Sequence, residues 1–206
     1  MSQKEMLFRC SAVGNLMSEP KLVADKKAGK LSKTGESYLN QFIFEYKYGR
    51  REGFSTKATQ KGTQTEDDGI HVLNMVMKTR YKKNETRFNG DYLTGEPDII
   101  GKDIIIDIKS NFLASTFLTK DSIDNVYKWQ LAGYCVLCEK KKGAIAYTLN
   151  NTPLDIIKSE ITATYYKNGL VDLTDEDKAK IALNHIYTDK HIVDGNYVNG
   201  FWDYAK

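Results

Sequence analysis

The sequence predicts an α/β fold, and three observations carry that reading. The run Ile104-Ile105-Ile106 is short and β-branched, which suits a buried strand. A second strand pattern lies over Ala144–Leu149. Helical patterns flank both, over residues 63–80 and from Asp121 or Ser122 to about Cys138.

In chain order, Arg9–Met17 reads as a short helix capped by Ser11 that stops near Pro20. Residues 24–36, rich in Lys, Gly and Ser, read as an exposed loop, and Glu36–Tyr48 as a helix with Leu39, Phe42, Ile43 and Tyr46 on one face. The 63–80 helix places Ile70, Leu73 and Met77 at helical spacing. Glu66 falls on that same apolar face, where a carboxylate is costly unless it is paired or bound to a metal; the alternative is a helix-start charge, as at Asp67 and Asp68. A strand around Thr86–Phe88, a turn at Asn89-Gly90-Asp91 and a return strand form a hairpin. Ser110–Lys120 reads as a loop. The helix ending near Cys138 carries Val126, Tyr127, Leu131, Tyr134 and Leu137 on its apolar face. Gln130 and Tyr134, four apart, are neighbours there. A helix starts near Leu154, and Thr174 with Asp177 caps another that carries Ile181, Ala182, His185 and Ile186. The aromatic tail from His191 to Lys206 is expected to dock on the core or on a partner.

Composition bounds the function classes. The chain has 206 residues, 41% hydrophobic and 28% charged, which suits one globular domain. We expect a single domain over 1–206, with the motifs inside about 9–150 and a helical extension over about 151–206. No apolar stretch has the length of a membrane span, and Met1-Ser2-Gln3-Lys4-Glu5 is not a signal peptide, so the expectation is a cytoplasmic protein without a membrane partner. A net charge of +3 is too mild to establish nucleic-acid binding. The basic clusters Lys78, Arg80, Lys82, Lys83, Arg87 and Lys140-Lys141-Lys142 read as solvated loop ends unless a phosphate backbone lies near. The three cysteines argue against a disulfide framework, and Cys135 and Cys138 read as buried small hydrophobes. His71, His185 and His191 fall in no metal-ligand pattern.

Chemistry concentrates in residues 95–109, Gly-Glu-Pro-Asp-Ile-Ile-Gly-Lys-Asp-Ile-Ile-Ile-Asp-Ile-Lys. Asp98 sits in the turn entering the strand, and Asp107-Ile108-Lys109 ends it. Side chains alternate along a strand, so Asp107 and Lys109 project to one side, about 7 Å apart along the axis. Two carboxylates and an ammonium on a rigid strand suit a metal site that cleaves phosphodiesters.

Together the motifs are Lys61-Gly62-x-x-x-Glu66, Leu93-Thr94-Gly95-Glu96-Pro97-Asp98, Asp107-Ile108-Lys109 and Tyr127-Lys128-Trp129-Gln130-Leu131-Ala132-Gly133-Tyr134. Their order and element types resemble the PD-(D/E)xK nuclease superfamily, in its RecB-like and phage lambda-exonuclease-like branch. Arg9–Met17 also looks like the first helix of phage members. The sequence departs from the pattern at Asp107, where this branch more often has glutamate. It also has three cysteines, whereas some relatives hold an iron–sulfur cluster on four.

The resemblance implies a restriction-endonuclease-like core, a central mixed β-sheet flanked by helices. It implies that Asp98, Asp107 and the Ile108 carbonyl bind Mg²⁺ or Mn²⁺, with Glu66 contributing directly or through water. Lys109 would orient the attacking water and stabilise developing charge, while Gln130 and Tyr134 would brace the site or the scissile phosphate. The implied function is a metal-dependent DNA nuclease, an exodeoxyribonuclease of phage recombination or repair type. The partners implied are DNA, a second copy of the chain and a recombination partner protein. Alternatives are a structure-specific or site-specific endonuclease of the same fold, a non-catalytic DNA-binding module, and an ordinary core strand with charged ends.

Overall fold

The structure is a computed structural model that describes residues 6–51, 53 and 55–187, together with the backbone of 201–203. In chain order, β1 (Phe8–Arg9) runs into α1 (Cys10–Leu16), followed by α2 (Val23–Lys27), α3 (Lys33–Tyr48), α4 (Lys57–Gln64) and α5 (Glu66–Met77). Next come β2 (Phe88–Asn89), β3 (Leu93–Gly95), β4 (Ile99–Ile100) and β5 (Ile104–Ser110). Then follow α6 (Ala114–Leu118), α7 (Asn125–Leu137), β6 (Lys142–Thr148), α8 (Leu154–Lys167), α9 (Asp175–Leu183) and the backbone of β7 (Phe201–Asp203).

The apolar run at 104–106 becomes the interior of a mixed sheet in the order β4-β5-β6-β7. β4 is antiparallel to β5, β5 parallel to β6, and β6 antiparallel to β7. A smaller sheet, β1-β3-β2, carries the predicted hairpin. Period-two alternation then distributes the core. Ile105 joins Leu131, Tyr134, Ile145 and Tyr147 on the face covered by α7. Ile106 and Ile108 join Ile70, Leu73, Ala144 and Ala146 on the face covered by α5. Burying isoleucines such as Ile105, Ile106 and Ile145 stabilises the fold by about 1.5–3 kcal/mol each. The alanines of β6 leave room for α5, and Gly69 brings it closer still, since a Cβ there would lie 2.6 Å from Ile108 Cγ2. Among the described residues no helix is long and apolar enough to cross a membrane.

Several local expectations change. α1 follows β1 directly, with Arg9 rather than Ser11 at its N-cap. Residues 24–36 hold most of α2 and the start of α3, whose cap is the Ser32 hydroxyl accepting from the Gly35 N–H. The single helix read over 63–80 is two helices, interrupted at Thr65 (φ −110°, ψ 15°). Thr65 also gives its hydroxyl to the Lys61 carbonyl, a local bond that competes with helix continuation. α5 ends at Met77, which is exposed, because Lys78 turns left-handed. The predicted loop 110–120 contains α6. α7 begins later than read, with Asp124 at its N-cap. The Thr174–Asp177 capping box of α9 is as expected, while His185 and Ile186 lie beyond that helix. Cys10 is buried, whereas Cys135 and Cys138 are half-buried free thiols. Of the aromatic tail, the backbone of Phe201–Asp203 pairs with β6; the rest lies outside the described residues, as does His191.

Candidate active site

The antiparallel register sets the site. Ile99 faces Ile106 and Ile100 faces Ile105, so the next pair in the ladder is Asp98 and Asp107. Asp98 Oδ2 accepts a hydrogen bond from the Ile108 N–H at 2.6 Å. Asp107 is 1% exposed and lies on the α7 face beside Ile105. There Gln130 Nε2 donates to Asp107 Oδ1 at 2.9 Å and to the Tyr134 hydroxyl at 3.1 Å. The i, i+4 spacing on α7 thus becomes a clamp on the buried carboxylate. Gly95 makes room for it, since a Cβ there would lie 2.6 Å from Tyr134 Cε1.

Lys109 Nζ stands 2.6 Å from Asp107 Oδ2 and 4.8 Å from the centre of the Tyr127 ring. Oδ2 is buried and accepts no hydrogen bond in good geometry. Burial pulls the Lys109 ammonium down, but the charges of Asp107 and Asp98 outweigh it and hold its pKa above the ordinary lysine value. Burial, and then the charge of Asp107, pushes Asp98 up to about 8 against the lowering effect of the Ile108 N–H. Burial, with the charge of Asp107 behind it, likewise raises the Tyr134 phenol. These two facing carboxylates want a cation.

Glu66 behaves differently. It opens α5, is partly exposed, and pairs with Lys83 Nζ at 3.3 Å; Lys83 also reaches Asp67 at 3.0 Å. Lys83 is brought there by an isolated bridge to Ile99, and the next residue, Asn84, bonds the carbonyls of Pro97 and Asp98. Among the described residues, no group of three Asp, Glu, His or Cys side chains gathers closely enough to hold a metal ion. Asp98 and Asp107 therefore form a two-carboxylate site, with Glu66 lining the same cleft but engaged elsewhere. That set fits Mg²⁺, which is commonly held by one or two carboxylates while retaining waters and taking phosphate oxygens.

The cleft over these residues has a volume of about 550 Å³ and is lined by Glu66, Asp98, Asp107, Ile108, Lys109, Gln130 and Tyr134, so all six predicted side chains and the Ile108 position meet there. A neighbouring hollow of about 430 Å³ shares Glu66, Asp98 and Tyr134 and is lined by Arg9, Arg51 and Arg87. Behind Lys109, Ser110 Oγ lies 3.0 Å from Thr65 Oγ1 and accepts from Asn150 Nδ2 at 3.2 Å, which ties the start of α5 to the end of β5. Sequence reading missed this network, the pairing of Lys83 and the approach of Arg9 and Arg51. The capping propensity of Thr65 was the signal available for the first. His71 is exposed, and His185 packs edge-on against Phe112, away from the acids.

No family model matches the chain, and no curated protein matches it. Solved structures do. A phage-related exonuclease from Haemophilus somnus 129PT is 26% identical with a TM-score of 0.67, covering 94% of this chain and 91% of that one. An alkaline exonuclease, LHK-Exo from Laribacter hongkongensis, is 14% identical with a TM-score of 0.56, covering 86% and 91%. LHK-Exo in complex with dAMP is 17% identical with a TM-score of 0.55, covering 73% of each chain.

Proposed function

We propose that this chain, whose fold is that of the PD-(D/E)xK phage-type exonucleases it resembles, is an exodeoxyribonuclease hydrolysing phosphodiester bonds of linear DNA with a divalent cation. The observation that carries the reading is the Asp98–Asp107 pair facing across β4 and β5 with Lys109 beside it. The exonuclease mode rests on the similar structures being exonucleases.

Asp98, Asp107 and the Ile108 carbonyl would hold the cation, and Glu66, paired with Lys83, would contribute through a water or after leaving that lysine. Oxygen donors of this kind favour Mg²⁺ or Mn²⁺. Bound there, the ion would acidify a water and offset phosphate charge. The chain's own groups do the rest. Gln130 holds Asp107 in one rotamer, so its other oxygen Oδ2, beside the Lys109 ammonium, keeps its place in the cleft. Lys109, fixed over Tyr127, orients the attacking water and offsets negative charge developing on the phosphoryl oxygens. Tyr134, held by Gln130 at the junction of the cleft and the arginine-lined hollow, braces the phosphate between them. A role in phage-type recombination or repair, with a partner protein and a homo-oligomeric state, belongs to the same proposal and rests on the motif resemblance.

Digestion of end-labelled linear DNA and covalently closed circular DNA with Mg²⁺ tests the reading. Linear DNA is expected to be degraded while circles survive. Cleavage of circles would instead establish an endonuclease, and inert behaviour toward both would establish a non-catalytic module.

A further inference from the structure

Beyond the acids, the cleft continues along the segment between β5 and α7. Its far wall carries a second cation, Lys120, which lines the same cleft as Lys109. The two lysines are built alike. Each ammonium stands over a tyrosine, Lys109 over Tyr127 at 4.8 Å and Lys120 over Tyr147 at 5.4 Å. Each is paired with an aspartate, Lys109 with Asp107 and Lys120 with Asp124, the latter at 2.8 Å.

Their partners differ. The Asp107 side chain is 2% exposed and clamped by Gln130, whereas that of Asp124 is 59% exposed. Asp124 stands at the N-cap of α7 but its side chain does not cap that helix, so nothing in the helix requires it to stay. An ion pair with so exposed a partner contributes little net stability, and exchanging its carboxylate for another anion is nearly neutral. Lys120 itself is held better than its partner, at 23% exposure. A cation fixed in a cleft and neutralised by a loosely held acid is poised for an incoming anion.

We infer that Lys120 is a second backbone-phosphate contact of the cleft, with Asp124 as a carboxylate that the DNA displaces. The inference rests on the nuclease reading above, and it assigns this far wall to the strand beyond the scissile phosphate. The ligand class is a nucleic-acid phosphodiester.

Fluorescence anisotropy of full-length protein with labelled linear duplex in EDTA, across a series of KCl concentrations, tests it without cleavage. Neutralising one phosphate contact changes the slope of log affinity against log salt by about 0.9 for duplex DNA. Lys120→Gln is expected to weaken binding several-fold and to flatten the slope by about that amount. Asp124→Asn is expected to move affinity the other way, tightening it, because the competing carboxylate is gone. Lys178→Gln, at an ion-paired lysine on α9, is the charge control and is expected to change neither. Equal slopes for Lys120→Gln and Lys178→Gln, or weaker binding by Asp124→Asn, would overturn the inference while leaving the nuclease reading intact. Wild-type protein that neither binds nor cuts DNA would overturn both.

Discussion

The acids of the cleft come from two regions built on different terms. Asp98, in the bend that leads into β4, and Asp107, on β5, face each other, with one held by a backbone N–H and the other by a buried amide. Glu66 rides on the helix that covers the opposite face of the sheet, is partly exposed, and shares Lys83 with Asp67. The pair keeps its carboxyl groups in place whether or not a cation is present, and a cation favours the ionised form of Asp98, which burial and Asp107 disfavour. The helix acid already has a counter-charge, which a metal would have to displace. An acid in a cleft is thus worth what its current partner leaves available.

That contrast can be broken by substitution. Asp107→Asn is expected to lower the nuclease rate by roughly 10²–10³-fold, and Glu66→Gln by about tenfold, the range typical of groups acting on a site indirectly. Equal losses in a single-turnover assay would show that Glu66 leaves Lys83 and joins the strand acids. Lys83→Ala sharpens the point, since freeing Glu66 should lower the Mg²⁺ concentration for half-maximal activity by roughly two- to fivefold. An unchanged or higher requirement would contradict the competition.

Gln130→Leu tests the clamp by stability. It leaves Asp107 Oδ1 and the Tyr134 hydroxyl without their buried partner, so unfolding free energy should fall by about 1–3 kcal/mol. A denaturant midpoint equal to wild type would mean that water replaces the amide.

The smallest effect concerns a third lysine. Lys61 is fully buried and, among the described residues, has no carboxylate partner; it donates to the Phe112 carbonyl at 3.3 Å and lies near the Phe112 and Tyr187 rings. Burial lowers its pKa from 10.5 to about 8. Between those values the unfolded chain binds the extra proton, so this group makes stability rise with pH from about 8 to 10.5. Lys61→Met should abolish that rise, a difference of at most about 3 kcal/mol, in melts across the window. Parallel curves for both proteins would show that Lys61 is solvated.

How much of this was legible beforehand follows the range of each contact. Asp107 and Lys109 share a side because strands alternate, and Gln130 meets Tyr134 because helices repeat; both rules are local and both hold. The order of motifs then supplied the meeting of Gln130 with Asp107, 23 residues apart. Lys83 was read as part of a solvated basic cluster, since nothing periodic connects it with Glu66. Its place depends on an isolated bridge to Ile99. The break at Thr65 was missed for a related reason. The apolar positions of α5 all lie after it, so no change of period marks the break, while the hydroxyl contacts that mark it reach Lys61 and the distant Ser110.

The register of β4 and β5 also bears on the order in which the molecule assembles. Asp98 and Asp107 are the two arms of one hairpin, closed by the Gly101 N–H on the Ile104 carbonyl. A loop so short closes at little entropic cost, so their juxtaposition is among the early contacts available to the folding chain. Lys109 lies on the same hairpin and offsets part of the repulsion between the two acids, whereas the Gln130 amide that binds the other Asp107 oxygen arrives only when α7 docks. The hairpin can therefore form with its charges partly balanced, and the docking of α7 is the step that completes the buried carboxylate's hydrogen bonding.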